Sequence, residues 1–464
     1  MDTAAPRLDP RIVLGAGVLG GLLGIALAQS RLIAIACIIG AVGFTVVLTR
    51  PDLVLLAMMM ALPWENKLHY PSASLSTVKG IGAAVMLAYV VSLITRRDRA
   101  IHLPLSIGIT TALGIWVGIS LIFSAHPSEG TQKLIRWGLF LIFFFLIVQL
   151  IEDRGQVVRA IRCFTASVGA AAIYALWLFL GGHSGFRASG PLEDPNDFGY
   201  LLACTTPLAA YLVAKDRGYR LIWSVTFMFI VGAMLATLSR GALVGIGTLF
   251  VWGIATRRVP VWAIFAGLGI SLVVVGLAFT LWKPLVDEAL HQKEHIAQNN
   301  TESREALWVA ALELAERHPL AGVGPELFPR DSLPLLRNDP INLARSNVKR
   351  SVAHNSYLEI LAENGAPALL LFLAYLATTW FLLRQTQLRA RLAGDIDGRR
   401  LTTALQAGIL IAIVSGTFLS EELSAPFWLL GGLAVVLARQ SPQEPASASD
   451  KSRRTPLALP TSTT

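Results

Sequence analysis

The sequence predicts an all-α polytopic membrane protein with about 12–14 transmembrane helices and one long, partly helical outer loop. Three observations carry this. Of 464 residues, 54% are apolar and 15% charged, against roughly 25% charged in soluble domains. The apolar residues fall in runs close to the roughly 20 that cross a bilayer as a helix. Lys and Arg then concentrate on alternate loops. Together these exclude a soluble enzyme, a disordered chain and a nucleic-acid-binding protein, despite a net charge of +9. Cys37, Cys163 and Cys204 all sit inside apolar runs, so no disulfide framework is expected.

Apolar runs between charged or Pro/Gly breaks place spans near 11–29, 31–49, 52–64, 79–95, 103–123, 133–151 and 157–181. Further spans follow near 196–214, 219–237, 240–256, 260–282, 356–383, 401–419 and 424–438. The run at 52–64 is short for a full crossing. No A-x-A-like site follows the first run and a second span begins at once, so a cleavable signal peptide is not expected. This divides the chain into an N-terminal transmembrane bundle (1–282), an outer loop (283–355), C-terminal transmembrane helices (356–438) and a disordered tail (439–464).

One set of loops, with both termini, holds 23 of the 39 basic residues, among them Arg96, Arg97, Arg154, Arg162, Lys215, Arg389 and Arg400. The opposite short loops hold seven: Arg31, Lys67, Lys79, Lys133, Arg136, Arg187 and Arg240. The positive-inside rule makes the first set cytoplasmic and the long loop external.

Arginines that remain outside oppose that rule. Arg136 follows Lys133 near a helix start, Arg187 lies in Gly185-Phe-Arg187-Ala-Ser-Gly190, and Arg240 occupies the tight turn Leu238-Ser-Arg240-Gly241. A guanidinium in such a place needs an anion or a water-filled cavity, and its planar fork suits phosphate oxygens. The alternative is that each snorkels to the interface or pairs with a carboxylate such as Glu193 or Glu421. For Arg240 the functional reading leads.

In Gly190-Pro-Leu-Glu-Asp-Pro-Asn-Asp-Phe-Gly199, Asn196 or Asp197 is expected to cap the span at 196–214, and Pro195 stiffens its start. Glu193, Asp194 and Asp197 are read as capping residues rather than metal ligands, and no metal is called. Asp395-Ile-Asp397 falls on the cytoplasmic side and is read as a solvated turn.

Within the long loop, residues 302–317 place Leu307, Trp308, Ala311, Leu314 and Ala315 on one helical stripe that stops at His318-Pro319. A basic stretch with Arg337, Arg345, Lys349 and Arg350 follows, then Ala353-His354-Asn355 at the start of the next span. An imidazole at that interface is chemically able to accept a proton from a hydroxyl. For a lone histidine a hydrogen-bonded structural role is the plainer reading.

Taken together, Ser239-Arg240-Gly241, His318-Pro-Leu-Ala-Gly-Val-Gly324, Ala353-His354-Asn355-Ser-Tyr-Leu and Pro195-Asn196-Asp197-Phe-Gly199 resemble the motifs of the O-antigen ligase/polymerase superfamily of bacterial inner-membrane glycosyltransferases. The resemblance is strongest over about 185–370. In the ligase histidine motif a Gly, Thr or Tyr stands where this chain has Ala368, which weakens the ligase subtype more than the superfamily.

The resemblance implies an undecaprenyl-pyrophosphate-linked glycan donor and, for a ligase, transfer to a sugar hydroxyl of lipid A–core on the periplasmic face. It implies Arg240 and Arg187, with Arg136 less directly, as pyrophosphate ligands and His354 as general base. It implies no metal or other cofactor, and inversion at the anomeric centre. His318, Arg345, Lys349 and Arg350 are candidate acceptor or loop contacts. A polymerase acting on lipid-linked repeats and a protein oligosaccharyltransferase are alternatives within the superfamily. A transporter or flippase is the rival from another class, disfavoured because the unusual charges gather on one face.

Overall fold

The computed structural model describes residues 49–68, 77–95, 100–183, 187–256, 304–338 and 351–440. The runs at 11–29 and 260–282, and nearly all of 31–49, lie outside them. The described helices are α1 (Pro51–Ala61), α2 (Thr77–Thr95), α3 (Leu105–Ile122), α4 (Pro127–Leu150), α5 (Arg154–Leu180), α6 (Pro195–Lys215), α7 (Arg220–Ala236) and α8 (Arg240–Ala255). A loop helix α9 covers 304–317. The short α10 (Phe328–Asp331) and α11 (Leu333–Asn338) follow it. The chain then returns through α12 (Ser356–Leu392), α13 (Ile396–Ser415) and α14 (Ala425–Gln440). The described residues contain no strand. Among the described residues six helices, namely α3 to α6, α7 with its preceding turn, and α12, are long and apolar enough to cross a membrane, and α1, α2, α8 and α14 are shorter apolar helices.

Helix starts follow local chemistry. Pro51, Pro127 and Pro195 stand in the first turns of α1, α4 and α6, where a missing N–H costs no helical bond. Asp194, not Asn196 or Asp197, caps α6: its carboxylate accepts the N–H groups of Asn196 (2.6 Å) and Asp197 (3.3 Å). Because Pro195 takes the first helical position, the cap is Asp194, two residues upstream of the nearer expected one, Asn196.

The interior is apolar and aromatic. Trp137 on α4, Phe372 and Tyr375 on α12, and Phe427 and Trp428 of α14 are fully buried. Tyr375 stacks on Trp428 with centroids 5.0 Å apart, and Trp137 meets Trp428 edge-on at 6.1 Å. Each such edge or stacked contact adds about 1 kcal/mol beyond the area it buries.

At one end of the bundle, ion pairs tie the helix turns together. Arg154 bridges Asp395 (2.5 Å) and Asp397 (2.7 Å), and Lys215 reaches Asp397 at 2.5 Å. Asp395 also caps α13 through the Gly398 N–H. The Asp395-Ile-Asp397 turn is therefore an inter-helix clamp and not merely a solvated one. Neither acid is isolated from water, so the sequence alone gave no reason to pair it with a residue about 240 positions away.

At the opposite end α12 is broken. The expected span at 356–383 extends to Leu392 and is interrupted at Gly365, whose φ of 76° and ψ of 176° are not helical. The break frees the carbonyls of residues 362–364, and the turn after α9 takes them up. The N–H groups of Val323 and Gly324 donate to Ala362 (3.0 Å) and Glu363 (2.8 Å), and Ala366 donates to Pro319 (2.9 Å). From α3, Trp116 Nε1 donates to Asn364 O (3.0 Å) and Ser120 Oγ to Glu363 O (3.0 Å). Buried backbone groups left unpaired there would cost more than the helix bonds they replace. Gly322 and Gly365, both at positive φ, permit the contact: a Cβ on either would overlap the opposing backbone. This is what the His318-to-Gly324 motif does structurally.

Candidate active site

The broken end of the bundle gathers the turn before α6, the α7–α8 turn, α9, the residues before α12 and the α13–α14 loop. Each contributes one element of a polar mouth.

Ser239 caps α8 by accepting the Ala242 N–H at 3.4 Å, so Arg240 is the first residue of that helix. Gly241 packs on Leu419, and its carbonyl accepts Ser415 Oγ at 3.0 Å, which fixes the helix start against the α13–α14 loop. Ser-Arg-Gly is thus a cap, an exposed cation and a close contact in three consecutive residues.

Arg187 is half-buried. Its Nε donates to Thr237 O (2.7 Å) and its terminal nitrogen to Asn196 Oδ1 (2.7 Å). It therefore joins the α7–α8 turn to α6 instead of meeting Glu193 or Glu421. Glu193 pairs with Lys67 (2.8 Å).

The charge of Arg304, in the first turn of α9, reaches Arg240, Arg187 and His354. Burial, reinforced by Arg240, lowers its guanidinium pKa, yet an arginine stays charged at any physiological pH. Three guanidinium groups thus share one mouth. Asp194, the carboxylate whose charge reaches both Arg187 and Arg304, is already committed to capping α6. Arg304 does not stand out in the sequence, because it is one of nine basic residues of the long loop and only the folding of α9 brings it toward Arg187 and Arg240. The available signal was its place at the foot of a helix whose apolar stripe faces inward.

That stripe forms as expected. Leu307, Ala311, Leu314 and Ala315 are buried, and with Val323, Leu327, Phe328 and Ala353 most of them make a small core of the loop's own. Trp308 Nε1 donates to Ala353 O at 3.1 Å, which ties α9 to the residue before His354.

His354 adopts a left-handed backbone with φ of 50°. Asn355 caps α12 by accepting the N–H groups of Tyr357 (3.0 Å) and Leu358 (3.1 Å). One imidazole nitrogen, Nε2, lies 3.4 Å from Ser351 Oγ. Burial, and then the Arg304 charge, lower the imidazole pKa below its ordinary value, so the ring is neutral and able to accept a proton at neutral pH.

Arg136 is exposed on α4 and its charge reaches Asp197. Asp197 in turn faces Glu421, a buried carboxyl whose pKa is raised well above the usual range by burial and by Asp197. His318 is exposed, with Asp331 as a charged neighbour, and is not drawn into the arginine cluster. Arg345, Lys349 and Arg350 lie outside the described residues. Among the described residues no group of three or more His, Cys, Asp or Glu side chains is arranged to hold a metal ion.

Lys133 departs furthest from expectation. It is not a loop residue: α4 begins at Pro127, and Lys133 is buried among Glu359 (2.6 Å), Glu363 (2.8 Å) and Glu422 (3.3 Å). An open apolar groove of about 440 Å³ runs between α12 and α13, lined by Tyr357, Leu376, Trp380, Ile413 and Thr417 among others.

Residues 225–373 match the sequence model of the O-antigen ligase family. The matched segment contains Ser239-Arg240-Gly241, Arg304, the turn that locks the α12 break, and His354. The match supports placing the chain in the O-antigen ligase-like superfamily. No curated protein matches the sequence significantly.

Proposed function

We propose that this all-α membrane protein of the O-antigen ligase-like superfamily transfers an undecaprenyl-pyrophosphate-linked glycan to a sugar hydroxyl of lipid A–core on the periplasmic face. The observation that carries the reading is Arg304, which brings Arg187 and Arg240 into one cationic mouth beside a neutral His354. The charge of Arg304 reaches both Arg187 and Arg240, and the α8 N-terminus adds a partial positive charge to the same place. A lipid diphosphate is an anion suited to such a mouth.

In this reading the arginines hold the pyrophosphate and His354 accepts the proton of the acceptor hydroxyl. The hydroxyl oxygen bonds to the anomeric carbon, the carbon–oxygen bond to the pyrophosphate breaks, and the diphosphate leaves with both electrons. Charge growing on it is met by fixed cations, the arrangement most effective where water is scarce. Attack opposite the leaving group inverts the anomeric centre. No step calls for a metal. The open apolar groove between α12 and α13 suits the donor's prenyl chain.

Sidedness agrees with a periplasmic site. The basic residues Arg154, Arg162, Lys215 and Arg389 lie toward the end of the bundle opposite His354, and the positive-inside rule makes that end cytoplasmic.

The test supplies purified protein with lipid-linked glycan and separate acceptors. Transfer to lipid A–core is expected. Lengthening of the lipid-linked glycan alone would make the protein a polymerase, and modification of protein an oligosaccharyltransferase. No transfer to any acceptor, with glycan moved across vesicles instead, would replace the enzyme reading by a flippase.

A further inference from the structure

Lys133, Glu359, Glu363 and Glu422 come from α4, the first turns of α12 and the α13–α14 loop, and all four are buried. One ammonium faces three carboxyl groups. A buried ion pair is poor evidence of a stabilising role, since apolar replacement is often as stable. The arrangement around Glu359 gives it a different task. Oε1 meets Lys133, while Oε2 accepts the Ala353 N–H at 3.1 Å and the Ser420 hydroxyl. The Ala353 carbonyl is held from the other side by Trp308. Ala353, the residue before His354, is therefore gripped at both its backbone polar atoms, by the buried Glu359 and the half-buried Trp308. That grip matters because His354 stands in a left-handed conformation, which a non-glycine residue leaves unless its surroundings hold it.

We propose that the buried Lys133–Glu359 pair is a positioning unit for His354: it fixes the backbone that carries the imidazole and supplies a negative charge to meet the imidazolium formed in turnover. The proposal rests on the reading of His354 as general base. Lys133 orients Glu359, Glu363 and Glu422 complete the ammonium's surroundings, and Ser420 ties the unit to the α13–α14 loop. The charged groups facing the imidazole are Arg304 from α9, Asp194 from the turn before α6, and Glu359 from α12. Arg304 disfavours the imidazolium, and Glu359 and Asp194 favour it. Glu359 is the member of this set that also holds the backbone of Ala353, next to the histidine.

The experiment measures transfer kinetics of the purified full chain across about pH 5 to pH 8, with lipid-linked glycan and acceptor. Glu359→Gln is expected to lower kcat roughly 10- to 100-fold, as for a displaced catalytic group, with the donor KM nearly unchanged. Its rising limb should move to lower pH, because a negative charge facing the imidazole is gone. If Glu359→Gln does not fold, the charge-neutral pair Lys133→Met with Glu359→Gln decides, with the same low kcat and shifted limb expected. Wild-type kcat and pH limb in a folded variant of either kind would make the pair purely structural and overturn the proposal. His354→Ala is run beside them: full activity there removes the base itself, a failure distinct from unaltered kinetics in the Glu359 variants.

Discussion

Gly365 lies directly against the carbonyl of Leu320, too close for any side chain to intervene. Its φ and ψ also fall in a region open essentially to glycine alone. Backbone strain and overlap act together, so Gly365→Ala should cost roughly 3 kcal/mol or more of stability. Thermal unfolding in detergent reads this as a lower midpoint and a reduced membrane yield. A variant with an unchanged midpoint would show that the turn after α9 does not depend on the break.

Arg304 should matter for transfer as much as Arg240. Removing one fixed donor to a developing negative charge typically costs about 10² to 10³ in rate. Arg304→Ala is expected to lose that much without loss of membrane abundance, and Arg304→Lys to recover part, since a lysine keeps the charge but not the planar fork. Wild-type rates in Arg304→Ala would remove α9 from the site and leave Arg187 and Arg240 as the cationic pair.

Much of this was legible in the sequence, and the rest was hidden for physical reasons. Hydropathy runs located α3 to α8 and α12 to α14, most of them within a few residues but missing the start of α4 and the end of α12, because a helix in lipid must be largely apolar. His354, Arg240 and Arg187 were visible as polar residues in improbable places. Lys133 was not, since a lysine two turns into α4 looks like an interfacial charge until α12 and the α13–α14 loop bring carboxyls to it. The break at Gly365 was equally hidden: apolar residues on both sides preserve the hydropathy of one span, and what permits it is a backbone turn from 40 residues upstream. Fidelity of pattern-based reading fails where long-range backbone pairing, not composition, sets the geometry.

The pH dependence follows from His354. Its imidazole pKa lies below the ordinary 6.5, through burial first and Arg304 second. A base works only when unprotonated, so kcat should rise with pH through a value under 6.5 and stay level from there to neutral pH. A limb centred above 7 would point to another group as the base. Arg304→Lys, which keeps the charge, should leave the limb near its wild-type position even as the rate falls.

Chelation should leave transfer intact. The acids nearest the mouth already have tasks: Asp194 caps α6, Glu193 pairs with Lys67, and Asp197 faces Glu421. Activity in excess EDTA is expected to match the untreated enzyme. Loss restored by one divalent cation would instead assign these carboxylates to a metal, and Asp194→Asn would then be the variant to follow.

Arg154 offers the control at the opposite end of the bundle. It joins the α5 start to both Asp395 and Asp397, and Lys215 shares Asp397. About a third of each side chain remains exposed, so solvent screening limits the clamp to about 1 kcal/mol. Arg154→Ala should therefore lower the unfolding midpoint slightly, more so at low salt, where surface charges are least screened. It lies far from Arg304 and His354 along the helices, so the transfer rate per folded molecule should not change. A proportionate fall in kcat would mean that the α5–α13 turn geometry is transmitted through α12 and α13 to the mouth, and the clamp would then belong to the catalytic apparatus rather than to the scaffold.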